Sequence, residues 1–200
     1  MTFDSPDARL KFNYTDLPSQ VSAVIYNAGY SASNSSKNDH IFIWIGANDI
    51  FAAAQYKDST TSLNLVTYAS ATYIAAVSTL TGACPQCKVY VLSIPDLGKT
   101  PLALAQPGAY QQKLSDLTAV FNAAIMSLQS GRVQYINSDH YFINYGYDTR
   151  TVCAKLIDPN HVCGASNNPI TDPTATQFAD PVHPTTAMHA YLAGFLKPLF

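Results

Sequence analysis

The chain has 200 residues, which suits one domain, and 48% of them are apolar against 12% charged, so a large buried core is easily built. A net charge of −2 offers no basic surface for nucleic acid. The longest unbroken aliphatic and aromatic run, Ile41-Phe42-Ile43-Trp44-Ile45, falls far short of the roughly 20 residues that span a bilayer.

Met1-Thr2-Phe3-Asp4-Ser5 has neither a basic start nor an apolar stretch, so no secretory signal opens the chain. Leu17, Val21, Val24, Ile25 and Ala28 then mark one face of a first helix. Residues 40–46 read as a strand. Leu63, Val66, Ala69, Tyr73, Val77 and Leu80 form a long second helical stripe, followed by a strand over 88–94. Leu114, Leu117, Phe121, Ile125 and Leu128 predict a third helix, and 132–136 a third strand. A long irregular stretch, 137–183, holds several Asn, Pro and Gly residues. Pro184 then stands near the start of a last helix carrying Met188, Tyr191, Leu192, Phe195, Leu196 and Leu199.

Strands alternating with helices of this length predict an α/β fold, a parallel sheet between two helical layers. The non-alternating run over 41–45 reads as an interior parallel strand, buried on both faces. Such a strand needs neighbours on both sides, and it is the first in the chain. The expectation is one domain over 1–200 whose amino-terminal strands are missing. Ligands of such sheets sit at the carboxyl ends of the strands, which directs attention to 46–58, 95–107 and 137–183.

Gly46-Ala47-Asn48-Asp49 directly follows the first strand. A glycine there permits a sharp turn, and an Asn can aim its N–H at a developing oxyanion. The same residue types also make ordinary turns. Asp180-Pro181-Val182-His183-Pro184 precedes the last helix. A carboxylate three residues before a histidine can fix its tautomer and stabilise the imidazolium. A second such spacing, Asp158 to His161, lies between Cys153 and Cys163 and reads as structural. His40, His140 and His189 have no comparable setting.

These two blocks, in this order, resemble the SGNH/GDSL hydrolase family, as does the stretch from Ser93 to Pro101. The likeness covers nearly the whole chain and is greatest to the fungal secreted branch, which includes acetyl esterases of plant polysaccharide fragments and related lipases. It implies serine acyl transfer on a small-molecule ester without cofactor or metal. His183 would be the general base, Asp180 its orienting carboxylate and Asn48 an oxyanion donor. Gly46 and Asp49 would shape the supporting turn.

The family's nucleophile stands in a Gly-Asp-Ser block after the first strand, with a second oxyanion glycine after the next strand. Neither is found in place. Phe3-Asp4-Ser5 looks similar on its surface, but no glycine precedes Asp4 and no strand pattern precedes the block. Ser5 is therefore not taken as the nucleophile, and the fragment is expected to be inactive. The competing readings are a non-catalytic carbohydrate-binding relative and a zinc-stabilised structural domain.

Low lysine content, abundant tyrosine and threonine, the sequons Asn13-Tyr14-Thr15 and Asn34-Ser35-Ser36, and four cysteines fit an extracellular glycoprotein. A secreted chain without a signal again predicts a lost amino terminus. The complete protein is expected to be a monomer. The cysteines allow three disulfide connectivities or, if all met in space, a Cys₄ zinc site. The secreted character and the family likeness favour disulfides, with local pairing of Cys84 to Cys87 and of Cys153 to Cys163 preferred.

Overall fold

A computed structural model describes residues 16–31, 33–34, 38–138, 182–184 and 186–199. The chain clusters into two compact units, residues 1–94 with 116–136 and residues 95–115 with 137–200.

The first unit opens on helix α1, Leu17–Ala28. Asp16 caps it by accepting the Ser19 N–H at 2.8 Å. Gly29, with φ 62°, ends it: the Gly29 N–H bonds the Tyr26 carbonyl and the Tyr30 N–H that of Ile25, the Schellman pattern that needs a left-handed residue. Only Val21 of the expected apolar face is buried.

Strand β1 spans His40–Ile43, helix α2 Ala47–Ala54, helix α3 Ser59–Ala83 and strand β2 Lys88–Leu92. Strand β3 spans Val133–Ile136. The sheet is parallel in the order β1-β2-β3, with Ile41 beside Val89 and Val89 beside Val133. Val89, Tyr90, Val91 and Leu92 are all buried, so β2 is covered on both faces, as a parallel interior strand should be. β1 is shorter than 40–46, its Phe42 is 36% exposed, and among the described residues its sheet partner is β2 alone.

Helix α3 starts at Asp58, whose carboxylate accepts the N–H groups of Thr60 and Thr61. Its buried stripe is Ser62, Val66, Ser70, Tyr73, Val77 and Leu80. Ser62 and Ser70 replace the expected Leu63 and Ala69, because their hydroxyls bond carbonyls of their own helix or its start and so bury without an unmet donor. Leu63 is left 44% exposed. By length and composition α3 alone among the described helices is long and apolar enough to cross a membrane, but it packs on α1 and α2 and buries one stripe in the core.

In the second unit a 3₁₀ turn, Leu97–Lys99, leads into the short helix α4, Pro101–Leu104. Helix α5, Gly108–Met126, gives its first part to this unit and its second part to the first. Leu114, Leu117, Phe121 and Ile125 are buried along it as expected. Helix α6, Thr186–Leu196, buries Met188 and Leu192, and Lys197–Leu199 close the described chain as a 3₁₀ turn.

Candidate active site

After Ile43 the chain leaves the sheet, and Gly46 turns it directly into α2. The segment expected as an open loop over 46–58 is therefore mostly helix. Ile50, Ala53 and Ala54 at i, i+3 and i+4 spacing carry that helix and are buried. Asp49 lies in its first turn, where a carboxylate complements the positive helix end. The Ile50 N–H closes the first helical bond on the Gly46 carbonyl at 3.2 Å.

Gly46 meets two independent demands. Its φ of 132° is closed to most side chains, and a Cβ there would run into the Phe121 ring. Asn48 sits one residue into the helix and is exposed. Among the described residues no group pairs with its side-chain amide. Asn48 therefore offers a donor at the carboxyl end of a parallel strand, on a turn whose backbone has little freedom.

Four side chains outside the motif hold this end of the sheet. The Trp44 indole N–H donates to the Ser93 carbonyl at 3.0 Å, and the Tyr73 hydroxyl to the Ile43 carbonyl at 3.3 Å. Tyr73 is 3% exposed, and burial pushes its ionisation far above the ordinary tyrosine range. Its ring meets that of Phe121 edge to face at 5.8 Å. The Asn122 amide accepts the Ile94 N–H at 2.8 Å and donates to the Ile94 carbonyl at 2.7 Å, replacing a strand neighbour just past β2. Helical spacing marks Tyr73 and Phe121 only as members of apolar stripes, and the sequence assigns Trp44 and Asn122 no role at this end. The available signal was Asn122, a poor helix former inside a strong apolar helix.

Residues 95–107, also expected as a ligand loop, are folded onto Asp96. Its Oδ1 accepts the Gly98 N–H at 3.0 Å and the Ser115 hydroxyl at 2.6 Å, and Oδ2 lies 3.4 Å from the Lys99 ammonium. A Cβ at Gly98 would strike Ser115 and the Gln111 carbonyl, so this glycine answers to space alone.

His183 is exposed and stands just ahead of α6, in the second unit. Asp180, Asp158, His161, Cys153 and Cys163 lie outside the described residues, as do Ser5 and Asn13. Cys84 and Cys87 form the expected local disulfide, between α3 and β2. The Asn34 amide nitrogen, the atom a glycan would take, donates to the Gly29 carbonyl at 2.9 Å.

The family model of the GDSL-like lipase/acylhydrolases matches residues 11–195. No curated protein matches the chain. The fold is similar to that of an extracellular lipase from Streptomyces rimosus, with a TM-score of 0.51 at 17% identity, covering 91% of this chain and 74% of that one. A phospholipase A1 from Streptomyces albidoflavus NA297 aligns with a TM-score of 0.49 at 16% identity, over 88% of this chain and 74% of that one. A parallel α/β sheet, a Gly-x-Asn-Asp turn at the end of a strand and a family match spanning both motif blocks give one conclusion: the chain belongs to the GDSL-like lipase/acylhydrolase family, whose members hydrolyse esters.

Proposed function

We propose that the chain carries the base and oxyanion half of a secreted serine esterase for acetyl or other short-chain esters of plant polysaccharide fragments. The observation behind this is the exposed Asn48 amide at the carboxyl end of β1, inside a family match that also reaches His183. In this reading a serine oxygen attacks the ester carbonyl while His183 takes its proton, and Asp180 holds the imidazole. Negative charge grows on the carbonyl oxygen, and Asn48 donates to it. His183 then protonates the departing alcohol, and water repeats the sequence to release the acid. The reading assigns no nucleophile: no Gly-Asp-Ser block stands in the 200 residues, and Ser5 is not placed in that role. In this reading the 200 residues belong to one monomeric domain, and Cys153 would pair with Cys163.

One other reading, a carbohydrate-binding relative without turnover, needs no Gly-Asp-Ser block. A short-chain aryl ester assay separates the two. The 200 residues alone should be inert, and a chain preceded by a strand, Gly-Asp-Ser and a second glycine block should hydrolyse the ester. There His183→Ala should abolish turnover, Asp180→Asn should leave a small remainder, and His161→Ala should be nearly silent. An essential His161 beside a dispensable His183 would overturn the assignment. Hydrolysis by the 200 residues that Ser5→Ala removes would make Ser5 the nucleophile. Oligosaccharide binding without hydrolysis in the extended chain would favour the binding relative.

A further inference from the structure

The amino end of the sheet holds a second group of reactive side chains, remote in purpose from the ester chemistry. The Asp39 carboxylate and the Cys84 and Cys87 sulfurs offer ligand atoms that all lie within 4.8 Å of one another. We propose that reduction of the Cys84–Cys87 disulfide turns this group into a site for one zinc-class divalent cation, bound by both thiolates and Asp39.

The geometry is close to what a metal needs. Zinc takes sulfur at about 2.3 Å and carboxylate oxygen at about 2.0–2.2 Å in a tetrahedron, which sets sulfur–oxygen edges of about 3.5 Å. Asp39 Oδ2 lies 4.0 Å from the Cys87 sulfur, so a shift of about half an ångström closes that edge. The sulfurs would part to about 3.8 Å, within reach of cysteine side-chain rotation. Cys84-Pro85-Gln86-Cys87 also has the two-residue spacing of many structural zinc ligands. Both cysteines are buried and Asp39 is half-buried, so the sulfurs are shielded from solvent and the carboxylate is the more accessible ligand.

The frame does not depend on the sulfur–sulfur bond. Arg132 donates through Nη1 to the Thr81 carbonyl at 3.1 Å and to the Pro85 carbonyl at 2.7 Å. The Cys84 N–H bonds the Leu80 carbonyl at 2.8 Å and the Cys87 N–H bonds the Cys84 carbonyl at 3.3 Å. The Lys88 N–H holds the Asp39 carbonyl at 2.9 Å, fixing the third ligand beside the turn. Tyr30 hydrogen-bonds the Asp39 side chain, the kind of outer contact that orients a ligating carboxylate. Opening the disulfide therefore leaves two thiols held side by side next to a carboxylate.

The chemistry balances with a small dithiol as reductant. Two electrons and two protons pass from the dithiol to the two sulfurs, and the dithiol becomes its own cyclic disulfide. The cation then displaces both thiol protons to solvent, and water takes the fourth position. Burial of the sulfurs makes the exchange slow and favours a small reductant.

The test needs no esterase activity and stands apart from the esterase reading. The full 200-residue chain carrying Cys153→Ser and Cys163→Ser is reduced without oxygen with dithiothreitol, desalted and titrated with cobalt(II). One cobalt per chain with a thiolate-to-metal absorption band is expected, zinc should displace it, and the oxidised protein should bind none. Asp39→Asn should weaken binding at least ~10-fold, and Tyr30→Phe by up to about that factor. Absence of the band, or equal affinity in Asp39→Asn, would overturn the site. Should that background not fold, the native chain answers by alkylation and peptide mapping: zinc should protect Cys84 and Cys87 in the reduced protein, and their full modification would refute the proposal.

Discussion

The two ends of the three-stranded sheet are held by different means. At the carboxyl end, side chains of α3 and α5 reach into the backbone beyond β1 and β2: Tyr73 to Ile43, Asn122 to Ile94, with the Phe121 ring against Gly46. At the amino end a disulfide and an arginine clamp the turn between α3 and β2. The carboxyl end is tied by many directional bonds around one exposed amide, Asn48. The amino end is tied by the disulfide, by two Arg132 bonds to the turn and by the Lys88 N–H on the Asp39 carbonyl. On the proposed reading, the ties at the carboxyl end surround the place where a transition state would be met.

The largest effect should follow from Gly46→Ala. A positive φ for a residue with a Cβ costs about 1–3 kcal/mol, and forcing that Cβ into the Phe121 ring adds about 1–3 kcal/mol. Urea unfolding should show about 2–6 kcal/mol lost. Phe121→Leu in the same chain should recover the steric part only. Full recovery would mean that the positive φ carries no cost, and no recovery would mean that the ring is not the obstacle. At Gly98 the Cβ would meet both the Ser115 hydroxyl and the Gln111 carbonyl, so trimming Ser115 should rescue Gly98→Ala only in part.

Asn48→Ala should do the opposite: no loss of stability, since its side chain is exposed, but a kcat lower by ~10²–10³ in the active chain with KM little changed. An effect confined to KM or to melting would assign Asn48 to the turn alone. Gly46 and Asn48, two residues apart, would thus separate shape from chemistry.

The contrast between the ends also explains what the sequence disclosed. Helix α5 was legible because Leu114, Leu117, Phe121 and Ile125 repeat at helical spacing and are all buried. Strand β2 was legible because four buried residues follow one another without alternation. Helix α2 was not, because its glycine entry and eight residues look like turn chemistry until Ile50, Ala53 and Ala54 find a core. The place of β1 in the sheet was less legible, because an apolar run reports burial potential and not strand order; among the described residues β1 pairs with β2 alone. The motif residues at 46–49 were legible since they are contiguous. Tyr73 and Asn122 were not, since each acts on a strand distant in sequence and no local pattern marks such a bond.

At the amino end, Cys84→Ser with Cys87→Ser should be a smaller loss than Gly46→Ala. The chain-entropy account gives about 2 kcal/mol for closing so short a loop, and the Arg132 and backbone bonds remain. Ester hydrolysis by the active chain should be unchanged per folded molecule. A loss of activity matching that of Asn48→Ala would show that the two ends are not independent.

The smallest effect belongs to Tyr73→Phe, and its sign changes with pH. Near neutrality the variant loses one buried hydrogen bond and leaves the Ile43 carbonyl short of a donor, for about 1 kcal/mol. Burial raises the Tyr73 pKa in the folded protein above its ordinary value of 10.0. Below pH 10 both states keep the phenol proton, so titration contributes nothing to any pH dependence. Above pH 10 the unfolded chain releases the proton while the folded protein retains it. The folded state then binds more protons, and its stability falls as pH rises, by up to ~1.4 kcal/mol per pH unit from this group. Tyr30, Tyr90 and Tyr110 are shifted upward as well and steepen the same limb in both proteins. Tyr73→Phe removes only its own share. Denaturant titrations from pH 8 to 11.5 should show the variant less stable at first, level with the wild type a little above pH 10, and more stable beyond. Two curves that stay parallel throughout would mean that Tyr73 ionises freely in the folded protein, and that the tie to Ile43 is far looser than the rest of the carboxyl end.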